Sequence, residues 1–357
     1  MTNGILCSIN TKDKLYKTVV KTSPNSTRYD DLKTNFNTYK NIIRRSITQA
    51  KKNYYHQTFK KYSNDLRKTW KTINETLNKN KTAKCLPQEF CLSNGNIIGN
   101  RETIVNEFNN YFVNAGAIVT DVQSNTPLSA FDTYLTDKPN CNFQFKEMTA
   151  ADIFEIINSM KPKASSGIDE LSNKILKHIQ EVIVPPLTII INQMLNTGLF
   201  PEKLKVSKVI PLYKKGDEHL FTNYRPISLL PSMSKIFEKV IFKQLSYYFE
   251  ENCLIFPNQY GFRKQHSTEH AALHLTDYLN TEMDNMNTPL SIFLDLSKAF
   301  DTLNHDILLA KLKYYGINGI SLNLLNTYLR DRKQYVQVES HCSKILGIKQ
   351  GVPQGSI

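Results

Sequence analysis

The stretch Ser291-Ile292-Phe293-Leu294-Asp295-Leu296-Ser297-Lys298-Ala299-Phe300-Asp301 organises the chain. Pro289 opens an apolar run, Leu290 to Leu294, whose length and flanks predict a short buried strand. The run delivers one carboxylate, Asp295, to its C-terminal end. Ionised carboxylates are rarely buried unless paired or metal-bound. An acid at the end of a buried strand, followed by a turn with a small residue and an aromatic, suits a Mg²⁺ ligand. The plainer reading has Asp295 capping the next helix, since Asp before Ser-Lys-Ala makes a fair N-cap. The stretch alone leaves both open.

Other blocks narrow the choice. Asp295-Leu-Ser-Lys-Ala-Phe-Asp301-Thr-Leu-Asn-His305 resembles the first catalytic motif of reverse transcriptases, in the form carried by non-LTR retrotransposons of the jockey-like, LINE-type group. Three further blocks resemble that family and stand in its order: Val209-Ile-Pro-Leu-Tyr-Lys-Lys-Gly-Asp217, Asn223-Tyr-Arg-Pro-Ile-Ser-Leu-Leu-Pro231 and Gly351-Val-Pro-Gln-Gly-Ser356. Each is weak alone; four in order are specific. Lys161-Pro-Lys-Ala-Ser-Ser-Gly-Ile-Asp169 resembles the extra block such enzymes carry upstream, and Phe256-Pro-Asn-Gln-Tyr-Gly-Phe262 is a family-like loop.

Composition fits a globular protein with a polyanionic partner. The 357 residues suffice for two or more domains and a sizeable core. A formal charge of +13 points to nucleic acid. Six cysteines are scattered without zinc spacing, which suits reduced thiols inside a cell. Residues 1–16 lack the apolar core of a signal peptide, and no apolar run reaches membrane-spanning length.

The excess charge is concentrated. Between Asp31 and Lys84 fourteen Lys or Arg face three acids. Leu32, Phe36, Tyr39, Ile43, Ile47, Ala50 and Tyr54 recur at three- and four-residue spacing, predicting one apolar face of a long helix. Ser63 can cap a second helix with Leu66, Trp70, Ile73 and Leu77 on one stripe. The basic residues Arg44, Arg45, Lys51, Lys52, Lys60, Lys61, Arg67 and Lys68 form either a solvated face or a track for nucleic-acid phosphates.

Further along, Phe90 to Ile98 reads as a hairpin, Ile104 to Phe112 as a helix that Gly116 can end, and 117–140 as a linker. Thr149 with Asp152 forms a capping box. Helices are expected from Pro185 to Asn196 (proline in the first turn), Ser232 to Glu250, near Ser267, Asp306 to Tyr315 and Ser321 to Arg330. Strands are expected at Val206–Tyr213, Arg225–Leu229, Gln334–Val338 and Ile345–Lys349. His266, His270 and His274 share a helix face, but with no Cys or acid beside them a solvated face is the better reading than a metal site.

The resemblance implies an α+β fold: right-hand polymerase fingers and a partial palm, preceded by a basic helical segment. Its parts would be a post-endonuclease linker (1–84), an extension with hairpin and helix (85–147), fingers (148–264) and incomplete palm (265–357). It implies an RNA-directed DNA polymerase extending a DNA primer on an RNA template with deoxynucleoside triphosphates, by nucleotidyl transfer at two Mg²⁺ ions. Asp295 would bridge the metals and the Leu296 carbonyl would add an oxygen. Arg225 would grip the triphosphate, helped by Lys214, with Lys208 or Lys215 as alternatives. Lys298 and Ala299 would cradle phosphate oxygens through backbone N–H groups, and Phe300 would be the ring that excludes a 2′-hydroxyl. Gln354 and Gly355 would contact nucleotide and template. Phe300 as ordinary core and Arg225 as an ion-pair partner are the plain alternatives. The resemblance also places a second metal-binding Asp-Asp block beyond Ser356 and an endonuclease before the amino end, so a piece of a longer polyprotein, inactive alone, is expected. It further implies action on nuclear DNA, with cytoplasmic residence otherwise. A non-catalytic nucleic-acid-binding remnant is the rival, and a group II intron protein fits the long basic segment less well.

Overall fold

The computed structural model describes residues 3–24, 26–63, 65–77, 86–92, 94–116, 135, 139–163 and 165–356. Most of the expected linker at 117–140 lies outside these residues, as do Lys79, Lys81, Lys84, Cys85, Ser93 and Ala164. The chain divides into two compact units, Met1–Cys85 and Leu86–Ile357.

The first unit is helical. α1 (Asn3–Lys21) packs beside α2 (Thr27–Lys61), whose first turn is capped by Ser26 accepting from the Arg28 N–H. Val19 and Ile43 are buried between them, and the Tyr16 and Phe36 rings meet at 5.5 Å. Of the apolar face that the periodicity of α2 predicts, Ile43 is buried and Leu32, Phe36, Tyr39, Ile47 and Ala50 are half-buried, whereas Tyr54 is exposed. α3 (Leu66–Thr76) differs from expectation. Asp65, not Ser63, caps its start by accepting from the Lys68 N–H at 3.1 Å. Trp70 and Leu77 stay exposed while Thr72 is buried, its hydroxyl bonded back to the Lys68 carbonyl. Ile73 of the expected stripe is half-buried.

The second unit is mixed. A hairpin pairs β1 (Phe90–Cys91) with β2 (Ile97–Ile98) and leads into α4 (Arg101–Asn114), capped by the Asn100 side chain. α5 (Ala150–Ser159) begins at the Thr149–Asp152 capping box, present in both directions. Its inner face of Ile153, Ile156, Ile157 and Met160 is buried. α6 (Asn173–His178) runs almost directly into α7 (Gln180–Thr197), so Pro185 and Pro186 stand inside a helix rather than at its start. Gly198, at φ 70°, ends α7 in the left-handed cap.

β3 (Val206–Tyr213) and β4 (Tyr224–Leu229) form an antiparallel pair from Lys208↔Leu229 to Tyr213↔Tyr224. α8 (Ser232–Glu251), α9 (Thr268–Asp284), α10 (His305–Tyr314) and α11 (Gly319–Leu329) follow, then β5 (Lys333–Val338), β6 (His341–Cys342) and β7 (Leu346–Gly347). The sheet runs β4-β3-β5-β6, with β7 also on β5. The β3–β5 pairing is parallel, with Val209 opposite Val336. Two cores result. One joins α5, α7, α8 and α11 through Ile157, Ile191, Ile236, Val240 and Leu324. The other packs α4 and β1 on the sheet, with Phe90 and Phe108 fully buried against Phe221, Tyr224 and Val209. No helix among the described residues is long and apolar enough to cross a membrane.

The expected strand at Leu290–Leu294 is a correction. Residues 287–296 form no strand, and Leu290, Ile292, Phe293, Leu294 and Leu296 are 76–89 % exposed. A strand apolar on both faces needs a neighbour and a cover, and the five-stranded sheet pairs with no residue of this run.

Candidate nucleotide site and basic face

The turn after Asp295 is built on one carbonyl. Lys298 O accepts from the N–H groups of Asp301 (2.8 Å) and Thr302 (3.1 Å) and from the Thr302 hydroxyl (3.2 Å). Closing the turn puts Lys298 at φ 52°, a region that costs a residue with a Cβ about 1 kcal/mol. The side chain is held in return: Lys298 Nζ donates to the Tyr111 hydroxyl at 3.2 Å and stands 5.0 Å from that ring's centre.

The last motif closes on this turn. Val352 N–H donates to Phe300 O at 2.8 Å, and Gly351 N–H to Leu303 O at 2.8 Å. His305 Nε2 lies 2.7 Å from Gly351 O, a bond in which the ring donates. The Gln354 side-chain amide donates to Asp301 Oδ1 at 2.9 Å, while Gln354 O accepts from Ser228 N–H on β4 at 2.9 Å. Gly355 sits at φ 134°, and a Cβ there would lie 2.5 Å from Ser228 O. Only glycine lets this loop approach the strand.

β4 brings Arg225 to the same neighbourhood, three residues from Ser228 along the strand, about 10 Å. Arg225 is exposed and pairs across the ladder with Leu212. Lys214, also exposed, follows at the hairpin's open end, its N–H bonded to Asn223 O at 2.8 Å. Of the alternatives, Lys215 shares that end, whereas Lys208 is half-buried and pairs with Leu229 at the other. A cavity of about 30 Å³ lies where Phe112, Pro226, Ser228, Asp301, Gln350 and Gln354 converge. Burial raises the Asp301 carboxyl above its ordinary range, against the opposing pull of the Gln354 bond and the Lys298 charge. The Tyr224 hydroxyl, beside Arg225 in sequence, is pushed up to about 12 by burial, with Glu218, Tyr213 and Asp217 adding. A larger cavity, about 1370 Å³, runs along α8 and the loop before α9; none of the motif candidates lines it.

Asp295 and Leu296 stand apart from this knot, exposed on the approach to the turn. No group of three or more His, Cys, Asp or Glu among the described residues could hold a metal. An exposed carboxylate followed by a free-standing peptide carbonyl is nonetheless a pair of hard oxygen donors. That chemistry fits Mg²⁺, which takes few protein ligands and keeps water and substrate oxygens. Ala299 is exposed, and the Phe300 ring is 46 % exposed with Phe262 edge-on at 6.2 Å. Of the three histidines, His266 and His274 lie tilted against the Tyr260 ring, at 5.8 and 6.0 Å between centres.

Motif blocks of one segment, around Phe300, Val352 and Ser228, are therefore joined by backbone and side-chain hydrogen bonds. That segment, residues 213–357, matches the family model of reverse transcriptase (RNA-dependent DNA polymerase). Over these residues the chain is similar to the reverse transcriptase family. Similar proteins include the "Probable RNA-directed DNA polymerase from transposon BS" of Drosophila melanogaster, 34% identical over 219 residues, 59% of this chain and 23% of that one. The RNA-directed DNA polymerase from mobile element jockey of the same organism is 30% identical over 227 residues, 63% of this chain and 25% of that one. The chain spans about a quarter of the length of these relatives.

Outside the reverse transcriptase segment, the basic candidates lie on α2 and α3. Arg44, Arg45, Lys51, Lys52, Lys60 and Lys61 are exposed on α2. Arg44 and Lys51 stand seven residues apart on one face, as do Arg45 and Lys52, roughly 10 Å along the axis. Lys68 on α3 is exposed and pairs with Asp65 at 3.0 Å; Arg67 is on α3 with its side chain outside the description.

Three residues that position the reverse transcriptase motifs were not among the sequence candidates. Asp301 and His305 lie inside the quoted motif, and their polarity beside apolar neighbours was the available signal. Tyr111 had none. It recurs with Ile104, Phe108 and Phe112 as an apolar helix residue, and only the fold reveals its hydroxyl against Lys298.

Proposed function

We propose that this chain carries the nucleotide-gripping part of an RNA-directed DNA polymerase of the non-LTR retrotransposon kind, with fingers and part of a palm in the second unit. The observation that carries the reading is the convergence of three motif blocks: Phe300 on Val352, Asp301 on Gln354, and Gln354 on Ser228 of the Arg225 strand. In this reading the planar fork of Arg225 takes phosphate oxygens of a deoxynucleoside triphosphate, with Lys214 or Lys215 beside it. The N–H groups of Lys298 and Ala299 donate to further phosphate oxygens. The Phe300 ring lies beneath the sugar and leaves no room for a 2′-hydroxyl. Gln354 and Gly355 border the template base. Asp295 and the Leu296 carbonyl would hold Mg²⁺. When bound, Mg²⁺ neutralises triphosphate charge and activates the primer's 3′-hydroxyl.

The basic α2–α3 face would lie along the RNA template or DNA primer, neutralising phosphates without reading sequence. The parts would fall at 1–84, 85–147, 148–264 and 265–357, acting inside the cell on nuclear target DNA. The exposure of Asp295 and its apolar run favours one second reading, a nucleic-acid-binding remnant without catalysis.

The test is binding of a fluorescent deoxynucleoside triphosphate with Mg²⁺ by the full chain. Arg225→Ala should weaken it by about 10- to 100-fold, the range for a lost hydrogen bond to a charged group. Equal affinity of the two proteins would overturn the assignment, and nucleic-acid binding without nucleotide binding would select the remnant.

A further inference from the structure

We infer that α4 is a brace for the phosphate-cradling turn, with Tyr111 a positioning residue for Lys298; the inference rests on the nucleotide reading given above. α4 precedes the matched reverse transcriptase segment by about a hundred residues in sequence, yet it and the residues just past its end touch the turn at two places. Tyr111 takes the Lys298 ammonium through its hydroxyl and its ring face. One turn and a half later, Gly116 lies so close that a Cβ on it would stand 2.1 Å from Asp301 O and 2.4 Å from Gln350 Nε2. Gly116 is not in the left-handed region, so the close approach, not a helix cap, is what requires glycine here.

A brace must itself be anchored. Asn109, buried, donates to Lys344 O at 2.7 Å and accepts from the Gln334 side chain of β5 at 3.1 Å. Phe108 and Phe112 on the same helix are buried in the sheet's core. The path from β5 through Asn109 and α4 to Tyr111 and Lys298 is thus continuous. The turn needs such support. It holds a lysine in a left-handed conformation and sits directly after the exposed, unpaired run 290–296. Without Tyr111, Lys298 loses the hydroxyl and ring contacts that hold its side chain, which favours relaxation of its left-handed backbone and reorientation of the N–H groups that face the phosphates.

The test is hydrogen exchange of the full chain, followed by mass spectrometry of peptides spanning 296–304. Tyr111→Leu removes both contacts and should speed exchange there by about tenfold, as expected for one charge-assisted hydrogen bond plus a cation–π contact at a half-exposed site. Tyr111→Phe keeps the ring and should give a smaller change. Lys298→Met, which leaves α4's packing intact, should match Tyr111→Leu. Peptides of α8 should not change. Unchanged exchange at 296–304, or an equal rise in α8, would overturn the brace. In parallel, Mg²⁺-deoxynucleotide affinity should fall about tenfold in Tyr111→Leu and partly recover in Tyr111→Phe. A wild-type chain that binds no nucleotide would overturn the nucleotide reading, and the exchange result then decides the brace by itself.

Discussion

The side-chain amide of Gln354 donates to the Asp301 carboxylate at 2.9 Å, a side-chain tie between the last motif and the turn that follows Asp295. The acceptor is half-buried, and burial raises its carboxyl above the ordinary aspartate range. Such a group favours folding fully below its unfolded value, and that contribution disappears as pH rises through the folded value. Asp301→Asn keeps an acceptor for Gln354 and removes the penalised charge. The variant should match or exceed the wild type in thermal midpoint at neutral pH. The difference should close as pH falls through the carboxylate range. A variant markedly less stable than wild type at neutral pH would show that the charge, not the acceptor, is what the site uses.

Phe300 is half-exposed at the mouth of the turn, its ring edge-on to Phe262. If the ring lies beneath the sugar, Phe300→Ala should raise affinity for ribonucleoside triphosphates toward that for deoxynucleotides. Competition binding with matched deoxy and ribo pairs checks this. Discrimination as strong as in the wild type would remove Phe300 from the sugar pocket.

The basic face of α2 predicts a salt signature. Replacing Lys51, Lys52, Lys60 and Lys61 with Gln should weaken RNA and single-stranded DNA binding alike. The slope of log affinity against log salt should become shallower by about 3, given about 0.7 per phosphate neutralised on single strands. An unchanged slope would mean that these lysines face solvent only.

The run 290–296 presents five large apolar side chains and unpaired backbone to water. Exposed, unpaired apolar strands are templates for self-association. The chain should therefore associate with rising concentration in sedimentation experiments, and Phe293→Lys should reduce it. Concentration-independent sedimentation of the wild type would argue that the run is covered in solution.

Where local chemistry decides, the fold is legible in the residues. β3 spans Val206–Tyr213 as its pattern requires, the Thr149–Asp152 pair caps α5, and Gly198 ends α7. Pro185 misleads, because a helix that has already begun at Gln180 tolerates proline where packing of Leu187 and Ile191 outweighs the lost bonds. Leu290–Leu294 misleads for the opposite reason: an apolar run states a need for cover but cannot name what supplies it. Motif residues announced themselves one by one. The contacts that position them, Tyr111 to Lys298 and Gly116 against Asp301, join residues far apart in sequence and leave no local pattern.

The parallel pairing of β3 with β5 has a kinetic consequence. Ser207 bonds to Lys333 O across a separation of 126 residues, so the sheet cannot close until Lys333 and the rest of β5 have left the ribosome. The β3–β4 hairpin can form early, but one flank stays open through the synthesis of four helices. Long-range closures of this kind slow folding and lengthen the time an edge is available to wrong partners. Translation rate over residues 230–333 should then govern how much of the protein reaches its native sheet.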